Sequence, residues 1–335
     1  MDLRTSYLGL SLKNPLVGSA SPLWDSVDKI RRGEDAGLSA VVLFSLFEEQ
    51  ILHDANALEH LVAYGSNTSA EAMSYFPEVK EYRLGPDSYL ELISKAKQAV
   101  KIPIIASLNG YTDQGWIDYA KDMAQAGADA IELNVYHVPA DPALTGRDVE
   151  KKYLDVLKAV RSAVKIPVAI KLSPYFSSMA NMAGELVKAG ADGLVLFNRF
   201  YQPDFDIETL EVNPDINLSN PSEIRLALRW IAILRGKLSV SIAATSGVHS
   251  GTELVKYLLA GADVAMVTST LLRYGIDHAA RILRELEGWM ERKEYAAVKQ
   301  MRGAMSQKNV ADPTAFERAN YVKAMSRYKN PYANS

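Results

Sequence analysis

The stretch "QAGADAIELN", residues 125–134, closes a helix, turns, and opens a strand. Glycine stops a helix here because it takes positive φ without steric cost. The mostly apolar run after it has the composition of a strand covered on both faces, as in parallel sheets. The same unit recurs as "DAGLSAVVLF" (35–44), "KAGADGLVLF" (188–197) and "LAGADVAMVT" (259–268). A second unit interleaves with it: "KIPIIASL" (101–108), "KIPVAIKL" (165–172) and "KLSVSIAA" (237–244). In that unit a helix ends in lysine, near its negative dipole end, and proline or serine starts the next strand.

With the early run "NPLVGSAS" (14–21), the units give eight strands, near residues 15–19, 39–44, 102–107, 129–134, 167–172, 192–197, 238–243 and 263–267. Helical patterns such as "GWIDYAKDMAQAG" and "EIRLALRWIAILRG" fill the gaps. Alternation of this kind predicts an α/β protein with a (β/α)8 TIM barrel. An open doubly wound sheet is the alternative; no GxGxxG follows the first strand, which weighs against a dinucleotide-binding form of it. Long loops follow strand two (45–86) and strand six (198–220). The expected organisation is a barrel over residues 1–291 and a C-terminal helical extension, 292–335, packed upon it.

The composition narrows the function classes. The 335 residues are 48% hydrophobic and 23% charged with a formal charge of −3, which gives no reason to expect nucleic acid or an anionic membrane as partner. Cysteine is absent, so the chain supplies no disulfide, zinc thiolate, iron–sulfur ligand or thiol nucleophile. Neither a signal peptide nor a membrane span is expected, and a cytoplasmic location fits.

In a barrel the chemistry sits at the C-terminal strand ends. Those ends carry Ser19-Ala20-Ser21, Phe44-Ser45, Asn109, Asn134 with Tyr136 and His137, Lys171, Asn198-Arg199, Thr245-Ser246-Gly247 and Thr268-Ser269. Amides and hydroxyls dominate and carboxylates are scarce, which argues against a two-carboxylate glycosidase or a carboxylate-bound metal; no metal is expected. The small-residue turns after strands seven and eight suit a phosphate, since backbone N–H groups can approach an anion there; they also read as tight turns with Ser/Thr caps. Lys171 ends an apolar strand and is either a surface lysine or a cation set against a cofactor or anionic intermediate. His53 and His60 fall on one helical face of the second loop, a spacing that suits a lid or subunit contact better than a metal site.

Five motifs, "NPLVGSAS", "IELN", "IPVAIKLSPYF", "FN" and "SGVHSGTELVKYLLAGADVAMVTSTL", occur in order at these strand ends. Together they resemble the soluble, FMN-dependent branch of the dihydroorotate dehydrogenase family, over about residues 5–290. The resemblance implies FMN across the barrel mouth. Ser246, Gly247, Thr268 and Ser269 would hold its phosphate, and Ser19, Ala20 and Ser45 would border the ring and ribityl chain. Asn109, Asn134 and Asn198 would bond flavin or substrate, and Lys171 would face the pyrimidine edge. It implies CH–CH oxidation, with proton abstraction and hydride transfer to flavin N5, in pyrimidine biosynthesis, and a homodimer.

The chain also departs from that family. The family's base lies in an Asn-hydrophobic-Ser-Cys/Ser-Pro-Asn pattern, where this chain has Asn134-Val135-Tyr136-His137-Val138-Pro139. His137 or Tyr136 is therefore the candidate acid–base residue, against the plainer reading of a loop histidine bonded to backbone. A family lysine is replaced by Phe44, a Ser or Thr by Arg199, and two glycines of the phosphate turns by Ser246 and Thr268. Arg199 could clamp a substrate carboxylate or stand as a surface arginine. Two alternatives stay open: a flavin-free phosphate-binding barrel of the aldolase or isomerase type, with Lys171 as Schiff-base candidate, and an inactive FMN-binding subunit.

Overall fold

The computed structural model describes residues 1–47, 85–109, 113–200, 202–213 and 216–327. Most of the loop after strand two, with His53 and His60, lies outside the described residues. The chain opens with an antiparallel hairpin, β1 (Thr5–Tyr7) and β2 (Leu10–Leu12). There follow β3 (Leu16–Gly18), β4 (Val41–Phe47), β5 (Ile104–Asn109), β6 (Ala130–Asn134), β7 (Val168–Leu172) and β8 (Gly193–Leu196). A small hairpin, β9 (Asp204–Asp206) and β10 (Glu211–Asn213), precedes β11 (Ser241–Ala244) and β12 (Val264–Val267). Strands β3 to β8, β11 and β12 pair in parallel and close on themselves, so the protein is a (β/α)8 TIM barrel.

Helices α1 (Val27–Asp35), α2 (Pro86–Ala99), α3 (Asp113–Gln125), α4 (Gly146–Ala163), α5 (Met179–Lys188), α6 (Ile224–Leu234) and α7 (Gly251–Ala260) connect successive strands. After β12 come the short α8 (Ser269–Tyr274), then α9 (His278–Arg292), α10 (Val298–Met301) and α11 (Ala319–Arg327). Among the described residues, no helix is long and apolar enough to cross a membrane. The segment after α9 lies against α6 and α7: Gln307 N donates to Ala232 O and Met305 N to Leu259 O.

The two interleaved repeats meet at the N-terminal face of the barrel. Asp129, Asp192 and Asp263, each from an Ala-Asp step, accept the first N–H groups of neighbouring strands: Ile104 N at 2.7 Å, Val168 N at 2.8 Å and Ile242 N at 2.8 Å. Each also pairs with a cation near the end of a preceding helix, Lys97 at 2.7 Å, Arg161 at 3.5 Å and Arg235 at 3.3 Å. These aspartates satisfy backbone donors that a strand end would otherwise leave orphaned. The seventh strand starts later than the sequence pattern suggests, at Ser241 rather than 238. Lys237 and Leu238 still donate to Leu234 O, which extends the turn of α6.

Side-chain alternation divides the core in two. Outward residues such as Leu43, Ile131, Ile170 and Leu194 join a large cluster with the helices. Inward residues, including Val42, Ile105, Ala130, Ala169 and Val195, join Tyr7, Leu8 and Leu12 of the first hairpin. That hairpin therefore plugs the bottom of the barrel. A Cβ on Gly193 would stand 2.4 Å from Leu8 Cδ2, so the plug requires glycine there.

Candidate active site

The strand ends bring the sequence candidates together in three groups. The first is a polar chain across the mouth. Ser107 and Ser45 share a hydroxyl–hydroxyl hydrogen bond of 2.8 Å. Asn134 Nδ2 donates to Ser45 Oγ at 3.2 Å, and Asn198 Nδ2 donates to Asn134 Oδ1 at 2.6 Å. Tyr89 supports the chain from behind: its hydroxyl donates to Ser107 O at 3.2 Å and accepts from Ser107 N at 3.0 Å. Ser45, Asn134 and Asn198 were expected here. Ser107 and Tyr89 were not, although Ser107 shares the inward parity of Asn109 on β5.

A bulge in β4 makes this chain possible. Val42 pairs with Ile105, yet Ser45 pairs with Ser107, so β4 spends one extra residue over that interval. Leu43 and Phe44 then both join the outer cluster, and Ser45 faces Asn134. The Phe44 ring packs edge-on to Tyr89 with centroids 4.9 Å apart. The position at which the resemblance leads one to expect a lysine is thus under helix α2, away from the mouth.

The second group is charged. Lys171 is the penultimate residue of β7, its side chain is 10% exposed, and its Nζ lies 3.5 Å from Glu132 Oε1. Glu132 is fully enclosed, and neither carboxylate oxygen has a hydrogen-bond partner among the described residues. The sequence carried the same signal for both: a charge inside an otherwise apolar strand.

The third group lies after β11 and β12. Ser246 and Gly247 take successive left-handed conformations, φ 71° and 73°. Gly247 N donates to Ser219 Oγ at 3.2 Å, and Ser219 N donates to Ser269 Oγ at 3.1 Å. Thr268 Oγ1 donates to Ser19 O at 3.2 Å, which joins the end of β12 to that of β3 and to Ala20. Ser219 is the link that the sequence did not single out. Its carbonyl accepts a 2.8 Å bond from the buried His249 ring in the tautomer with Nε2 protonated.

The remaining candidates form the rim. The Tyr136 ring stacks on Phe200 at 4.5 Å, and Tyr175 meets Phe200 edge-on at 5.8 Å, so loops after β6, β7 and β8 share an aromatic wall. His137 is half-buried; burial, and then the Lys152 charge, hold its pKa below the ordinary histidine value. Arg199 already has a carboxylate: its Nε donates to Glu223 Oε2 at 2.9 Å, and its Nη1 donates to Asn217 O.

The sequence matches a known group of proteins. The family model for dihydroorotate dehydrogenase matches residues 83–290. The chain belongs to the dihydroorotate dehydrogenase family. Its curated relatives include the proteins named "Dihydroorotate dehydrogenase B (NAD(+)), catalytic subunit" of Methanocaldococcus jannaschii, 27% identical over 86% of this chain and 94% of that protein. The proteins of that name from Methanothermobacter thermautotrophicus and Alkaliphilus metalliredigens are 27% and 28% identical, over 90% and 91% of this chain and 97% and 99% of theirs. Within the family this chain has its polar chain and buried lysine on β4, β6 and β7, with Tyr136-His137 in the loop after β6.

Proposed function

We propose that the protein is an FMN-dependent oxidoreductase acting on a CH–CH bond beside a carbonyl, with a substrate that differs from dihydroorotate. The observation that carries this reading is Lys171, a cation held at the barrel mouth beside the neutral donors and acceptors of Ser45, Asn134 and Asn198. That donor set fits the pyrimidine edge of an isoalloxazine, which needs neutral hydrogen-bonding groups and one positive charge. Asn109 belongs to the same donor set. Ser19 and Ala20 are assigned to the ring and ribityl chain, and the turns Ser246-Gly247 and Thr268-Ser269 to the phosphate. When bound, FMN would accept a hydride equivalent from the substrate and pass electrons on.

The chain's own residues have the following roles. Lys171 stabilises negative charge that develops beside it. Asn134 and Asn198 orient ligand and one another. His137, its pKa lowered by burial and then by Lys152, accepts the substrate proton, and Tyr136 walls the substrate side. The relatives are named catalytic subunits, which supports a partner subunit as electron acceptor, and the proposal includes a homodimer of barrels in the cytoplasm. With no cysteine of its own, any iron–sulfur centre belongs to that partner. The proposed organisation is the barrel over residues 1–291 with the extension from residue 292 upon it; residues 328–335 of that extension lie outside the described residues.

A different substrate is favoured by the outward packing of Phe44, and by Arg199 being engaged by Glu223. The test is an anaerobic visible spectrum before and after dihydroorotate. A flavin band that persists unchanged supports the reading, and bleaching overturns the substrate part of it. A colourless protein that takes up no added FMN overturns the whole and returns the flavin-free barrel to the front.

A further inference from the structure

Glu132 is the least explained charge in the molecule. It lies in mid-strand on β6, its side chain has no exposure, and both oxygens lack hydrogen-bond partners among the described residues. Desolvating a carboxylate is strongly unfavourable unless a partner offsets it. The cation within reach is Lys171, at 3.5 Å, beyond the usual ~2.7–3.2 Å of a hydrogen bond but within ion-pair range. Strand register explains the meeting: Asn134 pairs with Lys171, and Glu132, two residues earlier on β6, faces the same interior.

The two charges are stacked along the barrel axis. Below Glu132 is the plug, where the Tyr7 hydroxyl is also buried without a hydrogen-bond partner among the described residues. Above Lys171 is the mouth. The ammonium therefore stands between a fixed carboxylate below and any ligand above. It can lean down to Glu132 or up to the ligand, and the carboxylate cancels part of the charge that the ligand meets. The field of Glu132 is felt by its neighbours. Tyr7 is pushed well above the usual tyrosine range by burial, then by Glu132 and then by Asp263.

We infer that Glu132 is a positioning residue for Lys171, a buried counter-ion that sets how much positive charge the barrel presents to its cofactor. This inference rests on the proposed flavin site. It predicts that a neutral residue at 132 leaves Lys171 uncompensated and makes a bound flavin easier to reduce. A residue that merely fills space would alter flavin content or stability without changing the cofactor's electronics.

The experiment compares wild type with Glu132→Gln by two readouts. One is the midpoint potential of bound FMN, by anaerobic dye titration. The other is the acetylation rate of Lys171 in apoprotein treated with acetic anhydride, followed by mass spectrometry against the surface lysines as internal controls. The expected result is a more positive midpoint and several-fold faster acetylation at Lys171 alone. An unchanged midpoint and unchanged acetylation overturn the inference, whatever happens to flavin content. If the wild type binds no FMN, the functional reading has failed, and the acetylation arm still decides the charge pair. If Glu132→Gln does not fold, Glu132→Asp replaces it. That variant keeps the charge but withdraws it from Lys171, so smaller shifts in the same directions support the inference and unchanged values overturn it.

Discussion

Asn198 Nδ2 donates to Asn134 Oδ1 at 2.6 Å, so the end of the sixth barrel strand is tied to the end of the fourth, across the fifth. Asn134 also reaches Ser45 on the second. One amide thus links three strand ends. Asn134→Ala should cost about 1–3 kcal/mol, because it leaves partly buried partners unpaired. It should also lower the FMN-to-protein ratio. Urea unfolding and absorbance spectra check both, and retention of full flavin content would show that the amide serves the scaffold alone.

The acid–base assignment makes a pH prediction. The His137 pKa lies below its ordinary value because of burial first and Lys152 second. A general base works in its neutral form, so turnover should hold across neutral pH and fall only as pH drops through that lowered value. Lys152→Gln removes a repulsive charge and raises the pKa. The acid limb of the kcat/KM profile should therefore move to higher pH. If the limb stays in place in Lys152→Gln and persists in His137→Gln, another group is the base.

Phe44→Lys tests the bulge in β4. The substitution would install the residue that the resemblance leads one to expect, yet Phe44 is packed against Tyr89 in the outer cluster. Burying an unpaired ammonium there should cost at least about 3 kcal/mol and give no dihydroorotate-dependent bleaching. A stable variant with new activity would mean that the side chain reaches the mouth.

For Arg199, the Glu223 partner supplies the control. If the pair serves the loop, Arg199→Ala and Glu223→Ala should have similar small effects, and the double variant should be no worse than either. If Arg199 clamps a substrate carboxylate, it alone should raise KM, by a factor that Glu223→Ala does not reproduce. A double-mutant cycle on KM separates the two.

The fold was legible because it is periodic. Each Ala-Gly-Ala-Asp step marks a helix end and a strand start. Its glycines adopt positive φ, as at Gly127 (φ 99°) and Gly190 (φ 105°). What the pattern did not reveal is what its aspartates do: the donors they accept lie on other strands, as with Asp129 and Ile104 N. The candidate site could be located by position, since strand ends could be named from the repeat. Partners were not. Ser219 bonds Gly247 and Ser269 from a distant loop, and Glu132 meets Lys171 only through register. The β4 bulge was illegible for a related reason. An alternation rule puts Phe44 on the Val42 face, and one inserted residue reverses that assignment.

The plug beneath the barrel also bears on how the chain comes together in time. Thr5 Oγ1 donates to Asp263 O and Leu8 N to Ser241 Oγ, contacts spanning 258 and 233 residues, and Val298 N donates to Asp2 O. Beyond their pairing within the hairpin, Thr5 and Leu8 thus wait for the last third of the chain before these contacts can form. Until then Tyr7, Leu8 and Leu12 are exposed apolar surface, and the barrel is an open sheet with free edges. Such long-range closure is slow and leaves intermediates prone to aggregation. Chaperone demand and refolding yield in this protein should therefore follow the N-terminal dozen residues more closely than any residue at the mouth.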